Sequence, residues 1–251
     1  MESQLLSRVK KAKNVKYIFC DYYDTIIHRT VHPLKPFMLW AKSIKKDFDL
    51  KISAADLYQM RRATMRSLRK NLNVAESEVE YEVVMQEIYN RLEDVENISA
   101  SISFDTFFKT TIEADYKSEE SVQYVNKKTL ADIAELHLLG YKVYCVSDFH
   151  ADEDMILRLM KFHGINQYYD KIFVSASQKA SKENKGLIFK TILEKEGIAP
   201  DEVLMIGDNP ISDVENAKLH GIASFYLKRY SQKLRQKIQF GIFSLENKFS
   251  N

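Results

Sequence analysis

The chain has 251 residues, of which 45% are hydrophobic, so it can bury a sizeable core and is not typical of a disordered protein. Its 37 Lys and Arg residues nearly balance 35 Asp and Glu residues, and this net charge of +2 does not indicate a nucleic-acid binder. The two cysteines are too few for a disulfide framework, and no apolar stretch approaches the ~18 residues of a membrane span. The N-terminus also lacks the apolar region of a secretory signal. A cytoplasmic protein without a membrane or nucleic-acid partner is therefore expected.

In chain order, five short apolar runs predict β-strands that are buried on both faces of a sheet. They are residues 16–20, 142–147, 171–175, 203–207 and 223–227. Helical patterns lie between the later runs, each ending in glycine, at 129–140, 152–164, 186–197 and 212–221. Ser212 is the expected N-cap of the last helix. This alternation predicts an α/β fold, a Rossmann-like parallel sheet with covering helices.

Residues 33–125 interrupt the alternation. Pro33 and Pro36 open the segment, and long helical patterns follow without a strand-like run between them. The economical interpretation is an all-helical insertion after the first strand, located over the sheet edge where that strand ends. We therefore predict a core domain of residues 1–32 and 126–251 and a helical cap domain of residues 33–125.

Polar residues follow four of the predicted strands. They are Asp21, Asp24 and Thr25 after the first strand, Ser147 and Asp148 after the second, Lys179, Lys182 and Lys185 after the third, and Asp208, Asn209 and Asp213 after the fourth. Because active sites in open parallel sheets lie beyond the carboxyl ends of the strands, these residues are expected to converge on one edge.

Such an edge suits phosphoryl transfer with a divalent metal. Carboxylates crowded together disfavour each other's charge unless a cation compensates, and Mg²⁺ prefers a few carboxylates together with water and phosphate oxygens. A lysine adds fixed positive charge, and a serine hydroxyl can donate to a phosphoryl oxygen. An aspartate can then act as the covalent nucleophile and form an aspartyl-phosphate.

In four motifs the chain resembles the haloacid dehalogenase-like (HAD) superfamily. The first motif reads Asp21–Tyr22–Tyr23–Asp24–Thr25, the second is Ser147 at a strand end, the third is a lysine ahead of a helix, and the fourth is Gly207–Asp208 followed by Asp213. Their order and separations match over residues 15–32 and 126–227, and the insertion resembles the cap of many members. "DYYDTIIHR" also resembles, more loosely, the D-x-F-D-T-L-x-x-R form of HAD proteins near bacterial glycosyltransferases.

The resemblance implies a role for each motif. Asp21 would be the nucleophile and a metal ligand, and the other metal ligands would be the Tyr23 carbonyl, Asp208 and Asp213. Thr25 would support the substrate-binding loop, and Ser147 and the lysine would hold the phosphoryl group. For this lysine the sequence favours Lys182 and then Lys185. Further candidates for substrate binding are Arg29 and Asn209.

Tyr23 departs from the family pattern, because typical HAD phosphatases have the general acid/base Asp at this position. Tyrosine, with an unperturbed pKa of about 10, is a poor base at neutral pH. Three accounts remain open. Asp24 takes the acid/base role, a group from the cap or the substrate transfers the proton, or the protein hydrolyses phosphate slowly or not at all.

True haloacid dehalogenases, which need no metal, also carry an aromatic residue at this position, so dehalogenation is a rival function. The presence of Asp208, which those enzymes usually lack, favours a metal and phosphate. We therefore predict a Mg²⁺-dependent phosphohydrolase for a small phosphorylated metabolite, with sugar phosphates preferred on the looser likeness. A catalytically weak domain that binds a phospho-ligand or a partner is the other alternative. The basic run 228–237 is interpreted as a solvated helix face.

Overall fold

The computed structural model describes residues 3–228, 234 and 237–243. The α-helices include α1 (Gln4–Lys11), α2 (Lys35–Asp47), α3 (Ala54–Leu72), α4 (Tyr81–Asp94), α5 (Phe104–Glu120), α6 (Lys127–Leu138), α7 (Glu153–Phe162), α8 (Ser175–Gln178), α9 (Leu187–Glu196) and α10 (Asn216–Leu219). The strands are β1 (Tyr17–Cys20), β2 (Ile27–Arg29), β3 (Gln123–Val125), β4 (Lys142–Ser147), β5 (Lys171–Val174), β6 (Val203–Gly207) and β7 (Ala223–Tyr226). No helix among these residues is long and apolar enough to cross a membrane.

Five strands form a parallel sheet in the order β5-β4-β1-β6-β7. Strand β1 is central, and the chain adds β4 and β5 on one side of it before it adds β6 and β7 on the other. The strand order therefore reverses at β1, and this is where open α/β sheets bind ligands, beyond the carboxyl ends of the strands. The predicted α/β fold and its five strands are confirmed, with boundaries that differ by at most one residue.

On one face of the sheet, apolar side chains at alternate positions along the strands pack into a shared core. Phe19, Val146, Phe173 and Met205 are fully or almost fully buried and belong to one core cluster with residues of α9. Because the strands are covered by helices on both faces, they contain nearly continuous apolar runs, and this explains why they could be predicted.

The chain divides into two units. Among the described residues, the first unit contains the chain up to His28 and from Tyr124 to residue 228, and the second contains Arg29–Gln123 with residues 237–243. Helices α2 to α5, which lie in the predicted helical insertion 33–125, pack against one another within the second unit. Strands β2 and β3 pair as a separate two-stranded sheet at the points where the chain leaves and re-enters the first unit. The sequence pattern indicated neither of these two strands.

The helix after β6 begins earlier than predicted. Asn209 is its N-cap, because Asn209 Oδ1 accepts hydrogen bonds from the backbone of Ile211 and Ser212 at 3.0 and 3.2 Å. A π-helical turn spans Pro210–Glu215 and leads into α10. The prediction of Ser212 as the N-cap was therefore wrong, since Pro210 suits the first helical position, where an N–H is not needed. Most of the basic run 228–237 lies outside the described residues.

Candidate active site

Asp21 lies at the carboxyl end of the central strand. Its backbone N–H donates to the carbonyl of Ile206 at 2.9 Å, so the pairing of β1 with β6 continues one residue beyond the strand. Its carboxylate is buried, and Thr25 Oγ1 donates to Asp21 Oδ2 at 3.2 Å. These contacts fix the backbone and the carboxylate of Asp21 at the predicted edge of the sheet.

Lys182 places its ammonium group between two carboxylates. Its Nζ donates to Asp21 Oδ1 at 2.6 Å and to Asp213 Oδ1 at 2.7 Å. The side chains of Lys182 and Asp213 are only 3% and 1% exposed. Burial opposes the charged form of Lys182, but the nearby carboxylates outweigh burial and raise its pKa well above the ordinary value. The site therefore contains a fixed positive charge.

One lysine does not compensate all the negative charge around Asp21. One carboxylate oxygen from each of Asp21, Asp208 and Asp213 lies within 4.8 Å of the other two. Burial is the largest cause that raises the pKa of Asp21 well above its ordinary value; Lys182 opposes this shift, and Asp213 and Asp208 add to it. A second cation at this cluster would favour the ionised form of Asp21.

Gly207 allows Asp213 to approach the end of β6 closely. A Cβ atom on Gly207 would lie 2.1 Å from Asp213 Oδ2 and 2.6 Å from Asp213 Cβ. The Asp213 carboxylate is held in place, because Oδ2 accepts from the backbone of Asn209 at 3.0 Å and Oδ1 accepts from Lys182. The glycine of the fourth motif is therefore required by contact with the carboxylate that follows it.

Gly207→Ala is expected to lower the free energy of unfolding by about 1–3 kcal/mol, because the new methyl group displaces a buried, hydrogen-bonded carboxylate. Gly241→Ala is the control, since a Cβ there meets nothing within 4 Å. Urea unfolding of both variants measures the difference. An equal free energy of unfolding for Gly207→Ala and Gly241→Ala would show that Asp213 can move away from the new methyl group without destabilising the protein.

These groups line a pocket of about 430 Å³ within the first unit. Its lining residues are Asp21, Tyr23, Asp24, Asp148, Lys182, Glu183, Asp208, Asn209, Ile211, Ser212 and Asp213. Six of these side chains are acidic and one is basic, so the pocket favours a hard cation over an anion alone.

Ser147 ends β4 with a buried hydroxyl group. The residue is 1% exposed, and its Oγ has no hydrogen-bond partner among the residues that the structure describes. A buried polar group without a partner costs about 1–3 kcal/mol. A ligand oxygen that reached this hydroxyl would therefore gain a hydrogen bond that the protein itself does not make.

A tight turn after β1 brings Tyr23 and Asp24 to the pocket. The N–H of Asp24 donates to the carbonyl of Ile27 at 2.7 Å, and Asp24 has a φ of 56°, in the left-handed region that Asp tolerates better than most residues. The ring of Tyr23 packs against Phe149 with centroids 5.1 Å apart. Asp24 therefore shares the pocket with Asp21 although it follows the position of the usual acid/base residue.

Of the other predicted substrate-binding residues, Asn209 lines the pocket and Lys185 is not among the lining residues. Lys179 and Lys185 are exposed. Arg29 belongs to the second unit, where its Nε and Nη2 donate to the carboxylate of Glu119 at 2.9 and 2.8 Å. The geometry therefore distinguishes Lys182 from the two neighbouring lysines, which spacing alone did not do.

Sequence reasoning gave no role to Asp148 or Asn216, yet both hold the backbone of Lys182. Asp148 Oδ1 accepts from the Lys182 N–H at 2.8 Å, and Asn216 Nδ2 donates to the Lys182 carbonyl at 2.7 Å. Each partner is 34 positions from the lysine in sequence. Only the position of Asp148, directly after a strand, indicated that it belongs to this edge.

A family model described as haloacid dehalogenase-like hydrolase matches residues 15–221 of the chain. This range includes every residue of the pocket and the helical insertion. In a sequence comparison with curated proteins, no match was found.

Solved structures with a similar fold include both phosphatases and dehalogenases. The HAD phosphatase from Thermococcus onnurineus superposes with a TM-score of 0.54 and 17% identity over 86% of this chain and 87% of that chain. The 2-haloacid dehalogenase from Pseudomonas syringae pv. Tomato DC3000 has a TM-score of 0.57 and 14% identity over 84% and 86%. The magnesium-bound HAD-hydrolase YfnB from Bacillus subtilis has a TM-score of 0.53 and 14% identity over 85% and 87%. At these identities the likeness shows the fold alone.

Proposed function

Because this chain belongs to the haloacid dehalogenase-like hydrolase family, we propose that it is a Mg²⁺-dependent phosphohydrolase acting on a small phosphorylated metabolite. The reaction proceeds through an aspartyl-phosphate on Asp21. Among substrate classes we favour sugar phosphates, because the segment from Asp21 to Arg29 resembles HAD proteins near bacterial glycosyltransferases. The proposed setting is the cytoplasm, with a small substrate as the partner and neither nucleic acid nor membrane.

The carboxylate cluster beside a buried lysine is the observation that carries this proposal. Three oxygens within 4.8 Å of one another are the donor set that a hard divalent cation takes. We propose that Asp21, Asp208, Asp213 and the carbonyl of Tyr23 hold Mg²⁺. When bound, the metal neutralises charge on the phosphoryl oxygens, and this is its contribution to phosphoryl transfer.

The chain's own residues then divide the reaction into two displacements. A carboxylate oxygen of Asp21 attacks phosphorus, the new Asp21–phosphorus bond forms, and the ester P–O bond breaks as the leaving oxygen takes a proton. Water then attacks phosphorus and loses a proton, the bond to Asp21 breaks, and inorganic phosphate departs. Lys182 and the Ser147 hydroxyl hold the phosphoryl oxygens in both steps, and Thr25 supports the turn that follows Asp21.

Asp24 is the proposed source and acceptor of the proton. It lines the same pocket as Asp21, whereas the phenol of Tyr23 is a poor base at neutral pH. In the first step Asp24 gives a proton to the leaving oxygen, and in the second it takes a proton from the attacking water. A group from the cap or the substrate is the alternative if Asp24 proves dispensable.

A 2-haloacid dehalogenase is the second candidate function, and the aromatic residue at Tyr23 favours it. In that reaction the carboxylate of Asp21 displaces a halide from carbon, so no phosphoryl charge develops and no metal is needed. The phosphatase is favoured by Asp208 and by the carboxylate cluster to which it belongs, because such a cluster needs a cation to offset its charge. A dehalogenase reaction, which needs no metal, would not use this carboxylate cluster.

Removal of Mg²⁺ is expected to abolish p-nitrophenyl phosphate hydrolysis, because the crowded carboxylates then lack the cation that orients them and the phosphoryl group. The assay compares Mg²⁺ with excess EDTA and includes a panel of sugar phosphates and chloroacetate. Chloroacetate turnover that is insensitive to EDTA would establish the dehalogenase. Folded, Mg²⁺-binding protein that turns over no phosphoester would refute the phosphohydrolase and favour a catalytically weak domain that binds a phospho-ligand or a partner.

A further inference from the structure

The loop that carries Lys182 lies between α8 and α9 and contains neither a helix nor a strand. Its non-glycine residues Lys179 and Lys185 have φ values of 51° and 50°, in the sparsely populated left-handed region. Within the loop the N–H of Gly186 donates to the Lys182 carbonyl at 3.0 Å, and side chains from other segments supply further contacts to the Lys182 backbone.

Asp148 uses both carboxylate oxygens on two consecutive N–H groups of this loop. Oδ1 accepts from the backbone of Lys182 at 2.8 Å, and Oδ2 accepts from the backbone of Glu183 at 2.9 Å. Hydrogen bonds to an ionised acceptor are roughly twice as strong as neutral ones. Since Asp148 follows β4 directly, these bonds connect the loop to the carboxyl end of β4, an inner strand of the sheet.

Asn216 holds the same peptide from the opposite side. Its Nδ2 donates to the carbonyl of Lys182 at 2.7 Å and lies 3.4 Å from the carbonyl of Glu183. Asn216 is buried and is the first residue of α10, just after the metal-site residue Asp213. The N–H of Lys182 is therefore held by Asp148, which follows the second motif, and its carbonyl is held by Asn216, which follows the fourth motif.

We propose that Asp148 and Asn216 are positioning residues that clamp the backbone of Lys182, so that its ammonium group reaches Asp21. The catalytic part of this inference rests on the proposed phosphohydrolase function. Lysine has a flexible four-carbon stem, so the position of Nζ is defined only if the backbone that carries it is fixed. A displacement of about 1 Å in a catalytic group can cost on the order of 10²-fold in rate.

Asp148→Ala is expected to lower kcat for p-nitrophenyl phosphate roughly 10- to 100-fold and to change KM less than about threefold, since Lys182 stabilises the transferring phosphoryl group more than the bound substrate. Asp148→Asn keeps one acceptor oxygen and is expected to recover part of kcat. Steady-state kinetics at a temperature where every variant is folded separate this effect from a loss of stability.

Asp170→Ala is the matched control. Asp170 also accepts a hydrogen bond from a backbone N–H, that of Val143 at 2.9 Å, and it pairs with Lys142, but it lies near the start of β4 rather than its end. This variant loses the same kind of bond far from the pocket, and kcat is expected to stay at the wild-type value. Wild-type kcat in Asp148→Ala, or an equal loss in both variants, would overturn the proposal.

Amide hydrogen exchange tests the clamp without reference to catalysis. In Asp148→Ala the amides of Lys182 and Glu183 are expected to exchange faster than in the wild type, while in Asp170→Ala only the amide of Val143 responds. Unchanged exchange at Lys182 would refute the clamp whatever the enzyme does. If the amides respond but the wild type has no phosphatase activity, the proposed function fails instead. Calorimetric binding of inorganic phosphate with Mg²⁺ then replaces kcat, and equal affinity in both variants would refute the positioning role.

Discussion

Asp21→Asn is expected to lower p-nitrophenyl phosphate turnover by on the order of 10⁴-fold or more and to leave no trappable phosphoenzyme. The amide oxygen of Asn is a weak nucleophile, and it cannot form the acyl phosphate from which water later releases phosphate. The change is nearly isosteric. In the wild type Lys182 donates to Asp21 Oδ1 at 2.6 Å, and the variant keeps one oxygen that can accept this hydrogen bond. The variant is therefore expected to fold. Rapid acid quench and mass spectrometry of the intact protein detect the phosphoenzyme.

Asp24→Asn is the matched control for this experiment, because it removes a second carboxylate from the same pocket. p-Nitrophenolate departs with little help from an acid, so this variant is expected to form the phosphoenzyme but to hydrolyse it about 10²- to 10⁴-fold more slowly. The phosphoenzyme then accumulates in Asp24→Asn and is absent from Asp21→Asn. Turnover that survives in Asp21→Asn would refute the nucleophile, and unchanged hydrolysis in Asp24→Asn would assign the proton transfer to another group.

The sheet could be predicted from sequence because its strands carry the signal locally. A strand covered on both faces needs apolar residues at every position, as in "VYCVS" of β4 and "VLMIG" of β6. The residue after each strand then marks the site edge without any knowledge of tertiary contacts. By contrast, β3 is a three-residue strand with no fully buried residue, and such a segment has no pattern to detect.

The details of the site could not be predicted because they depend on distant contacts. Spacing alone does not choose among the three lysines of one loop, whereas in the structure the backbone of Lys182 bonds to Asp148 and Asn216 and its ammonium group to Asp21. Arg29 follows the first motif closely, yet its guanidinium pairs with Glu119, 90 positions away. In both cases the deciding interaction joins residues with no regular spacing between them, so periodicity and capping patterns carry no information about it.

Lys182→Met is expected to lower the free energy of unfolding by about 3–5 kcal/mol, because it leaves Asp21 and Asp213 buried side by side without their cation. Methionine fills a similar volume, so the loss reports charge rather than a cavity. Mg²⁺ at the carboxylate cluster supplies positive charge again, and it is therefore expected to raise the Tm of this variant more than that of the wild type. Phosphatase turnover is not expected to return, since in the proposed reaction Lys182 also holds the phosphoryl group. Urea and thermal unfolding with Mg²⁺ or EDTA measure these effects.

Lys142→Met is the matched control, since Lys142 also pairs with an aspartate, Asp170, at 2.8 Å, but its side chain is 60% exposed. A solvent-exposed ion pair contributes little to stability because water screens it, and no added response to Mg²⁺ is expected. If Lys182→Met does not fold without metal, Lys182→Arg keeps the charge while its planar guanidinium changes the donor geometry, so it is expected to fold and to lose turnover. Equal stability losses in the two Lys→Met variants would show that burial does not strengthen the Lys182 pairs. An equal Tm response to Mg²⁺ would show that the metal and Lys182 do not compensate the same carboxylates.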